Sequence, residues 1–178
     1  MLRVAARIRS RFPGAKFLVP TTAGTDSVVR SLVHGTTDIE YRQNAFDDLV
    51  PRCDLCITVS GTATLHLAGH LVPMLVVYRV TPFIWHVFGR WLVHTRTFAL
   101  VNLLNEGRKH IVPEFIPWFG HADSVAAAAI DFLAKPDERT QQVDRLAKMI
   151  SSLDKPGASM NVARLALEMI AENTNVER

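Results

Sequence analysis

Apolar runs and amphipathic segments alternate along this chain. Short runs of mostly apolar residues predict strands at 15–20, 38–42, 53–59, 73–79 and 97–102. Apolar positions at helical spacing predict helices at 2–12, 26–33, 45–50, 63–71, 82–93, 121–134, 136–152 and 158–173. Strands that are apolar throughout are typical of parallel sheets covered on both faces. The pattern therefore predicts an α/β fold with a Rossmann-like, doubly wound parallel sheet and a helical carboxyl-terminal tail at about 121–178.

Length and composition favour one globular unit. The 178 residues are enough for a single domain, 1–178, with a sizeable core. Hydrophobic residues make up 48% and charged residues 21%, as in soluble domains. The net charge of +3 is interpreted as aiding solubility, with a weak pull towards phosphate-bearing partners as the alternative. Because the chain has no dense run of Lys and Arg and no known nucleic-acid module, we predict no nucleic-acid partner.

The amino terminus and the cysteines point to the cytoplasm. The chain opens on a charged helix rather than an apolar leader, and its longest apolar runs, such as Leu71–Tyr78, fall short of the roughly 20 residues that span a bilayer. Cys53 and Cys56 have CxxC spacing, but they open a predicted strand and no second pair follows. We favour buried strand cysteines over a redox or zinc site, and free thiols suit a reducing compartment.

Three polar segments follow predicted strands, where parallel sheets bind ligands. In the first, Ser60, Gly61, Thr62 and Thr64 precede or open a helix. Glycine permits close backbone approach, and a helix amino terminus with nearby hydroxyl groups suits a diphosphate. Ordinary helix capping explains the same residues equally well. The segment is neither a P-loop nor a GxGxxG fingerprint, so ATP and NAD are not favoured.

The other two segments add basic and amide groups. Arg79 ends the predicted strand 73–79 and could bind phosphate as a fork, or it could be a surface arginine. Asn102 could hydrogen-bond a base or sugar, with Gly107 permitting a turn that lets Arg108 reach a phosphate. An ordinary polar loop is the alternative. The predicted convergence of all three segments at one sheet edge favours the functional interpretation.

In this order, SGTATL, PMLVVYRVTP and VNLL…GR…VPEF closely resemble the lipid-A-disaccharide synthase family, over about Phe17 to Phe115. The resemblance implies one half of a metal-independent glycosyltransferase of the GT-B type, built from two Rossmann domains, whose carboxyl-terminal half binds the UDP of the donor. It implies no cofactor. The donor would be UDP-2,3-diacylglucosamine and the acceptor 2,3-diacylglucosamine 1-phosphate, which would bring the protein to the inner membrane as a peripheral contact.

Carried over residue by residue, the resemblance implies a donor pocket. The matching positions are Ser60, Gly61, Thr62, Thr64, His66, Arg79, Asn102, Gly107 and Arg108. The catalytic base belongs to the amino-terminal acceptor domain, which we expect to be absent here, so we assign no catalytic residue and expect the chain to be inactive alone. The exposed surface left by that domain predicts contact with a separate amino-terminal half or self-association.

This sequence departs from the family pattern at two places. His66 stands where the family has a Glu that grips the ribose, and histidine cannot offer a bidentate carboxylate. The loop around Gly107 is longer than usual. His66 and His70 lie four apart on one predicted helix face, as zinc ligands can. Because no third ligand is evident nearby and the Glu of HExxH is missing, we predict no metal site.

Two further alternatives stay open. The aromatic helix 82–93 is either a core helix or an interfacial helix that touches a membrane surface. For the whole chain, the alternatives to a donor-binding half are a degenerate, non-catalytic nucleotide-sugar-binding or interaction module, and a related epimerase or glycosyltransferase of the same fold. A coding frame upstream that supplies an amino-terminal Rossmann half would favour the donor-binding half over the degenerate module.

Overall fold

The strands of the protein form two parallel ladders. The computed structural model describes residues 1–36, 39–84, 97–105, 109–153 and 157–176. Within these residues, β1 pairs with β2, and the second ladder has the order β3-β4-β5, all in parallel. The strands are β1 (Phe17–Thr21), β2 (Ile39–Gln43), β3 (Cys56–Val59), β4 (Met74–Arg79) and β5 (Glu114–Trp118). The α/β class and the parallel pairing predicted from the sequence are confirmed.

Helices connect and flank these strands. A 3-10 turn at Val50–Arg52 leads into β3. The helices are α1 (Leu2–Arg11), α2 (Asp26–Val33), α3 (Phe46–Leu49), α4 (Ala63–Gly69), α5 (Pro82–Ile84), α6 (Leu100–Leu103), α7 (Ala122–Ala134), α8 (Pro136–Leu153) and α9 (Ala158–Val176). The helical tail predicted from about residue 121 is therefore confirmed as three helices. Most of the aromatic helix predicted at 82–93 lies outside the described residues.

The central strand β4 packs into two separate cores. Met74 and Val76 face a cluster that includes α4 and α8, whereas Leu75 and Val77 face a cluster that includes α1 and α7. All four side chains are at most 5% exposed. Because successive strand residues point to opposite faces, a strand that is apolar at every position needs a helical layer on each side. This arrangement is the one that the apolar run at 73–79 predicts.

One predicted strand is wrong and one strand was missed. The run predicted as a strand at 97–102 instead contains the short helix α6, and Glu114 accepts hydrogen bonds from the Phe98 and Ala99 N–H groups just before that helix. A short apolar run fits a strand or a buried helix turn equally well, and this carboxylate decides for the helix. The actual strand, β5, contains Pro117, which is tolerated because β5 lies at the edge of its ladder.

Candidate functional site

The loop between β3 and α4 is held by its own hydroxyl groups. Ser60 Oγ donates to the Phe98 carbonyl at 2.7 Å, which joins this loop to the segment before α6. The Thr64 hydroxyl donates to the Gly61 carbonyl at 2.8 Å and is fully buried. Gly61 has φ of +146°, a conformation that residues with side chains rarely adopt. The hydroxyls of Ser60 and Thr64 therefore fix the loop's shape.

Three backbone N–H groups in the first turn of α4 already donate hydrogen bonds within the chain. Thr64 N–H donates to the Gly61 carbonyl, and the Leu65 and His66 N–H groups donate to the Thr62 carbonyl. Thr62 stands at the cap position with an exposed side chain that makes no capping hydrogen bond. Among the hydroxyl residues of the SGTATL segment, Thr62 is thus the one that presents its side chain outward.

Asn102 ties the α6 segment to the start of β5. Its Oδ1 accepts from the Ile111 and Val112 N–H groups, and its Nδ2 donates to the Val112 carbonyl and to Glu114 Oε1. An amide side chain offers two donors and two lone pairs, so the chain itself occupies this group fully. Asn102 is only 4% exposed. These bonds give Asn102 a positioning role, and its direct contact with a base or sugar stays a prediction.

Strand register brings the predicted segments to one edge of the β3-β4-β5 ladder. Val59 is opposite Val77, and Arg79 is opposite Trp118, so β3, β4 and β5 end close to the same line. Arg79 is exposed at that edge, and a Cβ built on Gly120 would lie 3.8 Å from its Nε. Together with the Ser60 to Phe98 hydrogen bond, this register joins the three segments that the sequence predicted to converge.

Two of the predicted site residues are not among those described, and the two open clefts of the described residues are not lined by the strand edge. Gly107 and Arg108 fall outside the described residues. Within the described part of the chain, two open clefts of about 440 and 450 Å³ border Ile111 and α8, and neither is lined by Ser60 or Arg79. The strand edge is the better candidate for the site, because open α/β sheets bind ligands outside the carboxyl ends of their strands.

A cluster of two histidines and one aspartate lies at the other end of α4. His66 Nε2 is 2.9 Å and His70 Nε2 is 2.8 Å from the same atom, Asp47 Oδ1 on α3. The Phe46 ring stacks on His66 with centroids 4.6 Å apart. His66, for which the motif resemblance predicts a glutamate, thus has a neighbouring carboxylate, although its own side chain carries none.

The pKa values of three side chains near this region are shifted by their neighbours. The hydrogen bond from His70, aided by the nearby His66, lowers the pKa of Asp47 below its usual range. The Cys56 thiol donates a hydrogen bond that lowers the pKa of Cys53, while that bond and burial raise the pKa of Cys56. Both cysteines are free and partly buried; Cys53 precedes β3 and Cys56 is its first residue. They do not open a helix, as redox CxxC pairs do.

Sequence reasoning missed two residues that shape this region. Asp47 is 19 residues before His66, with no spacing motif linking them, so only the fold could reveal the third group. Glu114 stood inside the recognised VPEF segment, yet its bonds to Asn102 and to the Phe98 and Ala99 N–H groups depend on how two loops meet. No helix in the described ranges is long and apolar enough to cross a membrane.

Comparison with known proteins agrees with the motifs. Residues 1–168 match the family model described as lipid-A-disaccharide synthetase. The chain is 32% identical over 174 residues to the lipid-A-disaccharide synthase of Geobacter sulfurreducens, covering 97% of this chain and 44% of that protein. It is 31% identical over 170 residues to the enzyme of the same name from Anaeromyxobacter sp. strain K, covering 94% and 44%.

A more distant relative extends the same match. The lipid-A-disaccharide synthase 1 of Legionella pneumophila is 25% identical over 162 residues, with 90% of this chain and 41% of that protein covered. The chain thus spans less than half the length of the curated relatives it matches. With a family model matched over nearly all of its residues and relatives above 30% identity, this chain belongs to the lipid-A-disaccharide synthetase family.

Proposed function

We propose that this chain is the donor-binding half of a lipid-A-disaccharide synthase and that UDP binds at the carboxyl edge of β3 and β4. The observation that carries the proposal is the Ser60 to Phe98 hydrogen bond, which joins the first family segment to the residues just before the third, near the edge where Arg79 is exposed. Ligands of open α/β sheets bind outside the carboxyl ends of strands. We therefore expect the donor site of a glycosyltransferase with this sheet at the carboxyl edge of β3 and β4.

The proposed pocket residues have two kinds of role. Ser60, Thr64 and Asn102 hold the loops in shape, because their polar groups bond within the chain. Gly61 and Thr62 would meet the diphosphate. The basic groups of Arg79 and Arg108 would neutralise the charge that develops on the leaving UDP, with Gly107 allowing the turn, so the reaction would need no metal.

The whole reaction requires a second half. A general base must deprotonate the acceptor hydroxyl, and no residue of this chain is assigned that role. We therefore propose that 2,3-diacylglucosamine passes from UDP to 2,3-diacylglucosamine 1-phosphate only when an amino-terminal half completes the site, in the cytoplasm and at the surface of the inner membrane. Alone, the chain would bind UDP without catalysing transfer.

Helix α9 offers the surface that such a partner would cover. Its apolar side chains are largely exposed, at Met160, Val162, Leu165, Leu167, Met169 and Ile170. Exposed apolar side chains of this number on one helix are typical of a surface that another segment or chain covers. We propose the amino-terminal half as the partner of this helix. Self-association of the isolated chain through the same face stays a prediction.

One observation favours the second candidate, a non-catalytic binding module. His66 Nε2 is already bonded to Asp47, so contact of that atom with a ribose hydroxyl requires this bond to break. A chain that lost its ribose-gripping carboxylate would keep the fold and the segments while binding UDP weakly. The two candidates therefore differ in whether the isolated, folded chain has measurable affinity for UDP.

Calorimetric titration of UDP into the chain tests the proposal. We expect saturable binding that Arg108→Ala and Arg79→Ala each weaken by about 10- to 100-fold, because each removes a charged hydrogen bond to phosphate. Arg145→Ala is the matched control, since this arginine borders the clefts on α8. No binding to a chain with native circular dichroism, or equal loss in all three variants, would contradict the proposal.

The ribose position needs a paired variant. His66→Glu alone would place a second carboxylate beside Asp47, and two neighbouring carboxylates disfavour each other's charge. We therefore expect UDP to bind more tightly to the double variant Asp47→Asn/His66→Glu than to His66→Glu or to the unaltered chain. Equal affinities for all of these chains would remove position 66 from the pocket.

A further inference from the structure

The Asp47–His66–His70 cluster shares only His66 with the proposed donor pocket, and its chemistry is different. It combines two imidazole nitrogens and one carboxylate oxygen, whose ligand atoms all lie within 4.8 Å of one another. These are three of the groups that bind zinc, and two histidines four apart on a helix can bind one ion together. The absence of a third ligand argued against a metal in the sequence, and Asp47 on α3 supplies that ligand.

We infer that Asp47, His66 and His70 form a binding site for one divalent transition-metal ion, and that Zn²⁺ suits it best. Two nitrogens and one oxygen match the borderline character of Zn²⁺, whereas Mg²⁺ and Ca²⁺ prefer sites made of oxygen atoms alone. The inference rests on this cluster and is independent of whether the chain binds UDP.

Two of the three separations between ligand atoms need only a small adjustment for an ion, and the two histidine nitrogens lie within 4.8 Å of each other. Bonds of 2.0–2.1 Å in a tetrahedral site put ligand atoms about 3.3 Å apart. The two histidine nitrogens are 2.9 and 2.8 Å from Asp47 Oδ1, so each separation would widen by roughly half an ångström. Because a carboxylate only accepts, an Nε2 that hydrogen-bonds to Asp47 must carry the ring proton. With an ion bound, each neutral ring would carry its proton on Nδ1 instead.

The helices that carry the cluster are anchored by buried residues, whereas the ligand side chains themselves are exposed to solvent. Leu49 on α3 and Leu67 and Ala68 on α4 are buried to within 2% of full burial. The Phe46 ring stacks on His66 and fixes the plane of that imidazole. In contrast, the side chains of Asp47 and His66 are 66% and 56% exposed, so an ion can enter from solvent. Three protein ligands and an open fourth position for water are typical of accessible zinc sites.

Such an ion would join two segments that are distant in sequence. Asp47 precedes β3, whereas His66 lies one turn after the Gly61 loop on α4. A ligand that binds only the folded chain stabilises it by mass action. At 100 times its dissociation constant, Zn²⁺ should raise Tm by about 5–10 °C in a protein of this size.

The experiment is a Zn²⁺ titration of the full chain, prepared without a polyhistidine tag and free of metal, in competition with a chromogenic chelator. We expect one equivalent to bind. Asp47→Asn and His70→Gln should each weaken binding by about 100-fold or more, since loss of even an outer partner costs 10- to 100-fold. His34→Gln is the matched control, because His34 is an exposed histidine outside the cluster, and it should leave affinity unchanged.

Cys53 and Cys56 are the competing explanation for any zinc bound by this chain. The double variant Cys53→Ser/Cys56→Ser should keep full affinity, and Co²⁺ in place of Zn²⁺ should give a tetrahedral spectrum without a thiolate charge-transfer band. Circular dichroism checks that every variant is folded. The inference is overturned if a folded chain takes up no equivalent of Zn²⁺, if His70→Gln binds like His34→Gln, or if the cysteine variant loses the ion.

Discussion

The two ends of α4 carry polar side chains of opposite kinds. At the amino-terminal end, the hydroxyls of Ser60 and Thr64 are bonded within the chain, and Thr64 is fully buried. Towards the other end, the His66 side chain is more than half exposed and contacts Oδ1 of Asp47 on α3, whose side chain is also more than half exposed. At the end with the recognised motif, most of the hydroxyl groups already hydrogen-bond within the chain. The end without a motif keeps ligand atoms that an ion could reach.

This contrast extends to the segment that α4 meets. Asn102 is bonded through both ends of its amide, and Glu114 joins it to the residues before α6. The recognised segments therefore contain residues that hold the loops in shape as well as residues that are proposed to contact the ligand. Burial and bonding partners separate these roles, and the following substitutions measure how far that separation holds.

Removal of the Asn102 amide should have the largest effect on stability. Asn102→Ala would leave the buried N–H groups of Ile111 and Val112 without an acceptor, so we expect a loss of about 3 kcal/mol or more in the free energy of unfolding. Urea unfolding measures this loss. Asn105→Ala, which removes an exposed amide, is the control and should cost less than about 0.5 kcal/mol. Equal losses would show that Asn102 is no structural clamp.

The neighbouring threonines should separate structure from binding. Thr64→Val removes one buried hydrogen bond at almost constant shape, so we expect a loss of about 1 kcal/mol in unfolding free energy. Thr62→Val changes an exposed side chain and should stay within about 0.5 kcal/mol. For UDP affinity the order should reverse, because Thr62 is proposed to meet the diphosphate. If Thr64→Val is neutral and Thr62→Val destabilises the fold, the assigned roles are wrong.

The smallest effect should be an acid-dependent one at α2. Asp26 accepts hydrogen bonds from Thr21 and from Arg30, and these lower the pKa of its carboxyl below its ordinary value of 3.8. A lowered folded-state pKa contributes stability above the unfolded pKa, and this contribution is lost as pH falls through the folded value. The stability difference between the unaltered chain and Asp26→Asn should therefore shrink below about pH 4.

Urea midpoints at pH 7 and pH 3 would measure that difference. Thr21→Val removes the first of the two donors, and Thr21 is buried, whereas Arg30 remains exposed beside it. The enclosed donor should matter more than the exposed one, so Thr21→Val should reduce the pH dependence more than Arg30→Gln does. If Arg30→Gln reduced the pH dependence more than Thr21→Val, the buried hydrogen bond would not be the stronger of the two at Asp26.

The strands and helices with strong patterns could be predicted well. The runs at 53–59 and 73–79 contain β3 and β4, and the amphipathic stretches at 121–134 and 136–152 agree with α7 and α8 to within a residue or two. Prediction was wrong at 97–102, because four apolar residues in a row carry no period. It missed β5 because Pro113 and Pro117 made that segment resemble a loop.

The sequence by itself determined the fold class, the family and the segments that bear the expected pocket, because these depend on local periodicity and on motifs that lie contiguous in the chain. Only the tertiary structure decided which polar atoms are already bonded and which are exposed. It also placed Asp47 beside His66 and His70, across 19 or more residues of chain. Such pairings depend on how separate elements pack, and no local pattern encodes the distance between atoms on different helices.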